Sequence, residues 1–113
     1  MLSKKNLLKK KTDIDRVFKK DKGFKEDFLL MKAARNSLSF SRFGFVVSRK
    51  VSKKAVLRNK IRRRLKEIVG AKLDRIKNSQ DCLLIALPGL ENKDFWEMEE
   101  IIYKLFIKGN LYL

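Results

Sequence analysis

"FGFVVSRKVSKKAVLRNKIRRRLKEI", residues 43–68, changes its hydrophobic period partway along, and that change decides the fold class. Its first part belongs to "SFSRFGFVVS" (39–48), a Phe- and Val-rich run that predicts a strand, because aromatic and β-branched side chains suit a pleated surface. From about Ser52 the apolar residues fall at helical spacing. Leu57, Ile61, Leu65, Ile68, Val69 and Ile76 share one face at about 100° per residue, which predicts a helix reaching toward Asn78.

Working outward, "DCLLIAL" (81–87) predicts a short buried strand closed by Pro88-Gly89. Asp94 and Glu97 have capping-box spacing at the start of a last helix. That helix carries Phe95, Met98, Ile101, Ile102, Leu105 and Phe106 as its stripe, and Gly109 suits its C′ position. On the other side, "FLLMKAA" (28–34) predicts a strand, with "RNS" turning behind it. Thr12 is placed to cap a short helix with Ile14, Val17 and Phe18, Asp13 and Asp15 suiting its first turn, and "DKG" (21–23) stopping it. The first eleven residues read as a basic arm. No repeat or linker interrupts the 113 residues, so the expectation is one domain over 1–113. Its α-β-β-α-β-α order, with room for a further strand before Phe28, makes an α+β sandwich of helices against one small sheet.

Charge narrows the function. There are 29 Lys and Arg against 13 Asp and Glu, a net +16, and such self-repulsion implies a polyanionic partner. From Phe28 to Lys66 thirteen basic residues occur without one acid. No apolar run approaches the roughly 18 residues of a membrane span, and "MLSKKNLLKKK" lacks a signal-peptide core, so nucleic acid is expected rather than membrane. The lone Cys82 cannot form an internal disulfide and suits a reducing, cytoplasmic setting. On a helical wheel Arg58, Asn59, Arg62, Arg63 and Lys66 share one flank beside the apolar stripe, while Lys60 and Arg64 take the other. No acid stands a turn away from Arg58 or Arg62, although Glu67 can reach Arg63 or Arg64. Forked guanidiniums and an amide on one face suit phosphate oxygens and base edges. Ser48, Arg49 and Lys50, just before the helix, add to the same surface.

Catalytic equipment is missing. The chain has no histidine, its single cysteine cannot build a zinc site, and no Gly-rich phosphate loop is present. Glu91, Asp94, Glu97, Glu99 and Glu100 spread around a helix start and are expected to be solvated. Cys82 is expected to be an inert core residue, and Phe40, Phe43 and Phe45 to pack rather than stack on bases.

The 43–68 stretch resembles the signature of the bacterial ribonuclease P protein subunit, in which a strand ending in Ser-Lys-Lys leads through Ala-Val into a helix with an Arg-Asn-Arg motif. "DIDRVFKKDKG" and "LFIKGNLYL" extend the likeness over about Lys5 to Tyr112. The resemblance implies a mainly antiparallel four-stranded sheet with a left-handed β-α-β crossover, the ribosomal protein S5 domain 2-like fold. It also implies a function. Such a subunit binds a catalytic RNA and the 5′ leader of precursor tRNA, and assists removal of that leader without needing a protein partner. Mg2+ in the holoenzyme is held mainly by the RNA, none by the protein alone, and the protein supplies no catalytic residue.

The resemblance assigns RNA contact to Arg58, Asn59, Lys60, Arg62, Arg63 and Lys66, and a leader cleft to Ile14, Phe18 and Met31. Lys60 stands where Arg is usual and Arg62 where Lys is usual, so charge is kept while fork geometry differs. Ile14 and Met31 replace usual aromatic residues, leaving apolar contact where stacking would be worth about 1–3 kcal/mol per base. Two other readings stay open. A structural RNA-binding protein of ribosomal type would share the charge without a reason for this motif. A DNA-binding module using residues 53–66 would lack a helix-turn-helix partner.

Overall fold

The computed structural model describes residues 2–20 and 22–113. Helix α1 (Lys11–Phe18) is followed by strands β1 (Phe24–Glu26), β2 (Leu29–Arg35) and β3 (Arg42–Val46), then helix α2 (Ala55–Gly70), strand β4 (Gln80–Ala86) and helix α3 (Phe95–Lys108). The sheet order is β1-β2-β4-β3. β1 and β4 pair antiparallel with β2, while β3 and β4 run parallel with α2 as their crossover, so the four-stranded sheet is mixed and mainly antiparallel. The extra strand before Phe28 is β1, joined to β2 through a tight turn in which Asp27 takes φ 48°.

Strand parity sorts the chain into three layers. Leu29 and Met31 of β2, Phe43 of β3, and Cys82 and Leu84 of β4 face the main core with α2 and α3. Ile61, Leu65 and Ile68 dock α2 there, and Ile102, Leu105 and Phe106 dock α3, with the Phe43 and Phe106 rings stacked at 6.1 Å. The opposite sheet face carries α1 on a smaller cluster of Leu8, Val17, Ala34 and Leu83, with Ile14, Val46 and Ile85 packed around it. Cys82 is buried in the main core, and burial, helped by the neighbouring Asp81 charge, pushes its thiol well above the ordinary range. It is an inert core residue.

Several boundaries differ from the sequence reading. α1 starts at Lys11 with Lys10 as its cap residue, so Thr12 lies inside the first turn rather than capping it. The stop read at "DKG" includes Asp21, which lies outside the described residues; the helix already ends at Phe18. β3 begins at Arg42, not Ser39, because the Asn36 side chain holds Leu38 N and Phe40 O in a closed loop. α2 stops at Gly70, a poor helix former, well short of Asn78. Ile76 is instead drawn into a bridge with Tyr112, where Lys77 N donates to Leu111 O (2.8 Å) and Leu113 N to Arg75 O (2.9 Å).

The Asp94–Glu97 capping box is present at α3. At the other end Gly109 is the C-cap with φ −82°, and Asn110 takes the left-handed position at φ 55°. A Cβ at Gly109 would lie 2.5 Å from Met31 Cε, so the end of that methionine would have to shift. Residues 2–11 do not project away from the domain. Leu2 and Leu8 are buried, and Leu8 N donates to Phe43 O (2.8 Å) beside a parallel Leu7–Phe43 bridge, covering the outer edge of β3.

Candidate nucleic-acid interface

α2 is built to hold its apolar side inward while its charge faces out. Ile61, Leu65, Ile68 and Val69 are buried, but Leu57 is 38% exposed. The stripe read from the sequence therefore meets the core one turn later than expected. The helix begins without an acid in its first turn and with Lys53 and Lys54 before it, so the positive end of its dipole adds to the basic field.

The basic flank is partly organised within the protein. Arg58 Nη1 donates to the carbonyls of Ser52 and Lys53, both at 3.0 Å, tying the preceding loop to the helix. Arg62 Nη2 donates to Asn59 Oδ1 (2.8 Å), which fixes the fork and leaves its other donors free. Arg62 and Lys66 line a groove with Leu7, Leu8 and Lys9 along β3. Arg63 and Lys66 line a second one with Leu2, Leu7 and Glu67. Gly44 lies under the N-terminal segment, where a Cβ would meet Leu8 at 3.4 Å and press on Leu83 Cδ1 at 2.9 Å. Asn59, Lys60 and Arg63 are exposed; Arg58, Arg62, Arg64 and Lys66 are half-buried. Ser48, Arg49 and Lys50 are exposed in the loop from β3, anchored by buried Val47 and Val51.

The three residues assigned to a leader cleft do not come together. Ile14 packs on the α1 side of the sheet, and Phe18 is 51% exposed at the end of α1. Met31 is fully buried on the opposite side, against Gly109, and cannot touch a ligand in that cleft. Strand alternation decides this: Leu29 and Met31 point to the main core, and Leu30 and Lys32 point to α1. Lys32, the next residue, is the one that faces Phe18. Its Nζ lies 5.1 Å from the Phe18 ring centroid and donates to Phe18 O (2.7 Å), giving an aromatic surface with a cation over it.

A buried ion cluster escaped the sequence reading. Asp81, fully buried on the α1 face, accepts from Arg42 Nε (2.9 Å) and Nη2 (2.7 Å), from Asn36 Nδ2 (2.8 Å) and from Arg16. Arg42 also pairs with Asp13 at 3.4 Å. An acid opening the apolar run "DCLLIAL" was the available signal, and Arg42 is its direct neighbour in the parallel register. Burial alone would raise the Asp81 pKa. Hydrogen bonds from Arg42 and Asn36, with the charges of Arg42 and Arg16, outweigh it and hold the group below the usual carboxylate range. A depressed folded value means that this stabilisation is present above the unfolded value, about 3.9, and is lost as pH falls through the folded one. The stability gap between wild type and Asp81→Asn, followed by urea unfolding, should therefore be widest at neutral pH and close as pH drops below about 4.

Most acids of the C-terminal third have local work. Asp94 and Glu97 form the cap, Glu91 Oε1 accepts from Gly89 N (2.7 Å), and Glu100 pairs with Lys104 at 3.4 Å. Among the described residues no group of three or more Asp, Glu or Cys converges as a metal site, and no helix is long and apolar enough to cross a membrane.

Fold and surface together define a small basic α+β domain with charge gathered on one flank of a helix and an aromatic ring exposed beside a lysine at the end of α1. The chain belongs to the ribonuclease P protein family, whose model, described as Ribonuclease P, matches residues 2–109. It is 33% identical over 112 residues to the ribonuclease P protein component of Syntrophomonas wolfei, covering 99% of this chain and 93% of that one. The RNase P protein of Thermotoga maritima superposes with a TM-score of 0.80 at 28% identity, covering 90% of this chain and 96% of that one. That of Staphylococcus aureus superposes at 0.87 over 96% and 98% of the two chains, and at 23% identity it supports the fold alone. Membership places the chain in an endoribonuclease complex with a ribonuclease P RNA, acting in tRNA 5′ processing.

Proposed function

We propose that this chain grips the catalytic RNA through α2 and the loop before it, holds the 5′ leader of precursor tRNA in the α1 groove, and leaves hydrolysis to the RNA. The observation that carries this reading is the α2 flank itself. Arg62, Arg63 and Lys66 stand along grooves shared with the N-terminal segment, Asn59 holds the Arg62 fork, and Arg58 braces the loop that presents Ser48, Arg49 and Lys50. Lys60 extends the charge over the outer side of the helix. In the groove, Phe18 supplies a ring face and Lys32 a cation for phosphate, with Ile14 packed on the same side of the sheet. Met31 has no part in it.

Among the described residues no carboxylates gather as a metal centre, and around α3 Asp94, Glu97 and Glu100 are engaged in a cap and in lysine pairs. Mg2+ in the holoenzyme is assigned to the RNA, and the setting to the cytoplasm. The protein's share is electrostatic: neutralising phosphates where leader, tRNA and catalytic RNA meet lowers the repulsion between polyanions. No second protein and no membrane is required for this.

The test is reconstitution. Purified protein added to a bacterial ribonuclease P RNA and precursor tRNA at low magnesium should give accurate 5′ cleavage, and the protein alone should cleave nothing. Leader removal by RNA-free protein, unaffected by prior ribonuclease treatment, would place the chemistry on the chain. Binding without stimulated cleavage would favour a structural role of ribosomal type.

A further inference from the structure

We propose that Asp81 is a positioning residue for the α1 groove: its carboxylate holds α1 at a set place over the sheet, and thereby places Phe18 against Lys32. The inference rests on the reading that this groove takes the leader.

α1 has eight residues and no side-chain cap at Lys10, a length at which an isolated helix is marginal, so its place depends on what it docks against. Its apolar docking is narrow, through Val17 and Ile14 onto a small cluster. The remaining ties are polar. Arg16, on the turn between Ile14 and Phe18, donates to Asp81, and Asp13 pairs with Arg42, which itself holds Asp81 through two donors. Asn36 adds a fourth donor and fixes the β2–β3 loop at the same point. Asp81 thus joins α1, β3 and that loop to β4, with each carboxylate oxygen accepting two hydrogen bonds.

Packing alone would not call for this. Leu83 and Ile85, the other β4 residues on the α1 face, are apolar, and a buried ion pair commonly adds no net stability over an apolar substitute. What a fully bonded carboxylate adds is geometry, because its donors have to come to one point. The element it locates carries Phe18, whose carbonyl accepts from Lys32 Nζ and whose ring lies under that ammonium.

The test uses the reconstituted holoenzyme with Asp81→Asn, Arg16→Gln and the double variant. Three affinities are measured: for precursor tRNA, for mature tRNA and, with protein alone, for the catalytic RNA. Asp81→Asn should lower the preference for precursor over mature tRNA by about tenfold, with affinity for the catalytic RNA within about twofold of wild type. The double variant should be no worse than the more affected single one, since both cut one tether. In free protein, the Ile14 methyl resonance should shift in both variants.

A wild-type precursor preference in Asp81→Asn, or losses that add in the double variant, would overturn the inference. Should Asp81→Asn fail to fold, Arg16→Gln decides, because it leaves the Arg42–Asp81 pair in place. An unmoved Ile14 resonance there overturns the positioning role even if affinity falls, since Arg16 would then be touching RNA itself. If wild type shows no precursor preference, it is the leader reading of the groove that fails, and the Ile14 resonance still reports on whether Asp81 positions α1.

Discussion

Raising salt from about 50 to about 200 mM is expected to weaken binding of the chain to the catalytic RNA about a thousandfold. The expectation follows from the distribution of charge. Thirteen basic residues between Phe28 and Lys66 have no acidic neighbour in sequence. Only Arg42 among them is paired in the ion cluster, while Arg58 and Arg62 keep donors free. With about 5–8 phosphate contacts, log K against log salt should slope near −4 to −6, and filter binding or fluorescence anisotropy across a salt series reads it directly. A slope shallower than about −2 would mean that the basic surface is not what meets the RNA.

The second large effect concerns the core that holds this surface in place. Phe43→Ala should destabilise the domain by about 3–5 kcal/mol in urea unfolding. Phe43 is fully buried and stacks on Phe106, so truncation opens a cavity between sheet and α3 at the centre of the main core. Its backbone carbonyl accepts from Leu8 N, so the edge covered by the N-terminal segment should loosen as well. Phe18→Ala is the contrast. That ring is 51% exposed, and its loss should leave stability nearly unchanged. If Phe43→Ala cost under about 1 kcal/mol, the layer arrangement would be wrong.

Much of this architecture could be read in the sequence because hydrophobic period is a local property. Ile61, Leu65 and Ile68 announced both a helix and the side it buries, and Asp94 with Glu97 announced where α3 begins. Leu57 shows the limit. Period gives an angle around the helix axis, not the point along it where contact starts, and the first turn of α2 stands clear of the core. Met31 shows another limit, since one residue of register moves a side chain through the sheet, and Lys32 faces the groove instead. The Asp81 cluster draws Arg16, Asn36 and Arg42 from three separate segments, so no local pattern could have assembled it. Similarly, Ile76, which the period would have added to α2, pairs with Tyr112 in an isolated bridge, a distant contact that no local pattern shows.

The central claim is that α2 binds RNA through one face and not as undirected charge, and the most direct measurement compares neighbours on that helix. Affinity for the catalytic RNA and thermal stability should be determined for Arg62→Ala, Arg63→Ala and Arg64→Ala. The first two should each cost about 1–3 kcal/mol of binding with little change in melting temperature, because each removes charge-assisted contacts. Arg64 stands on the other flank, outside the grooves lined by Arg62, Arg63 and Lys66, and its loss should cost less than half as much. Equal losses at all three positions would contradict the face-specific account.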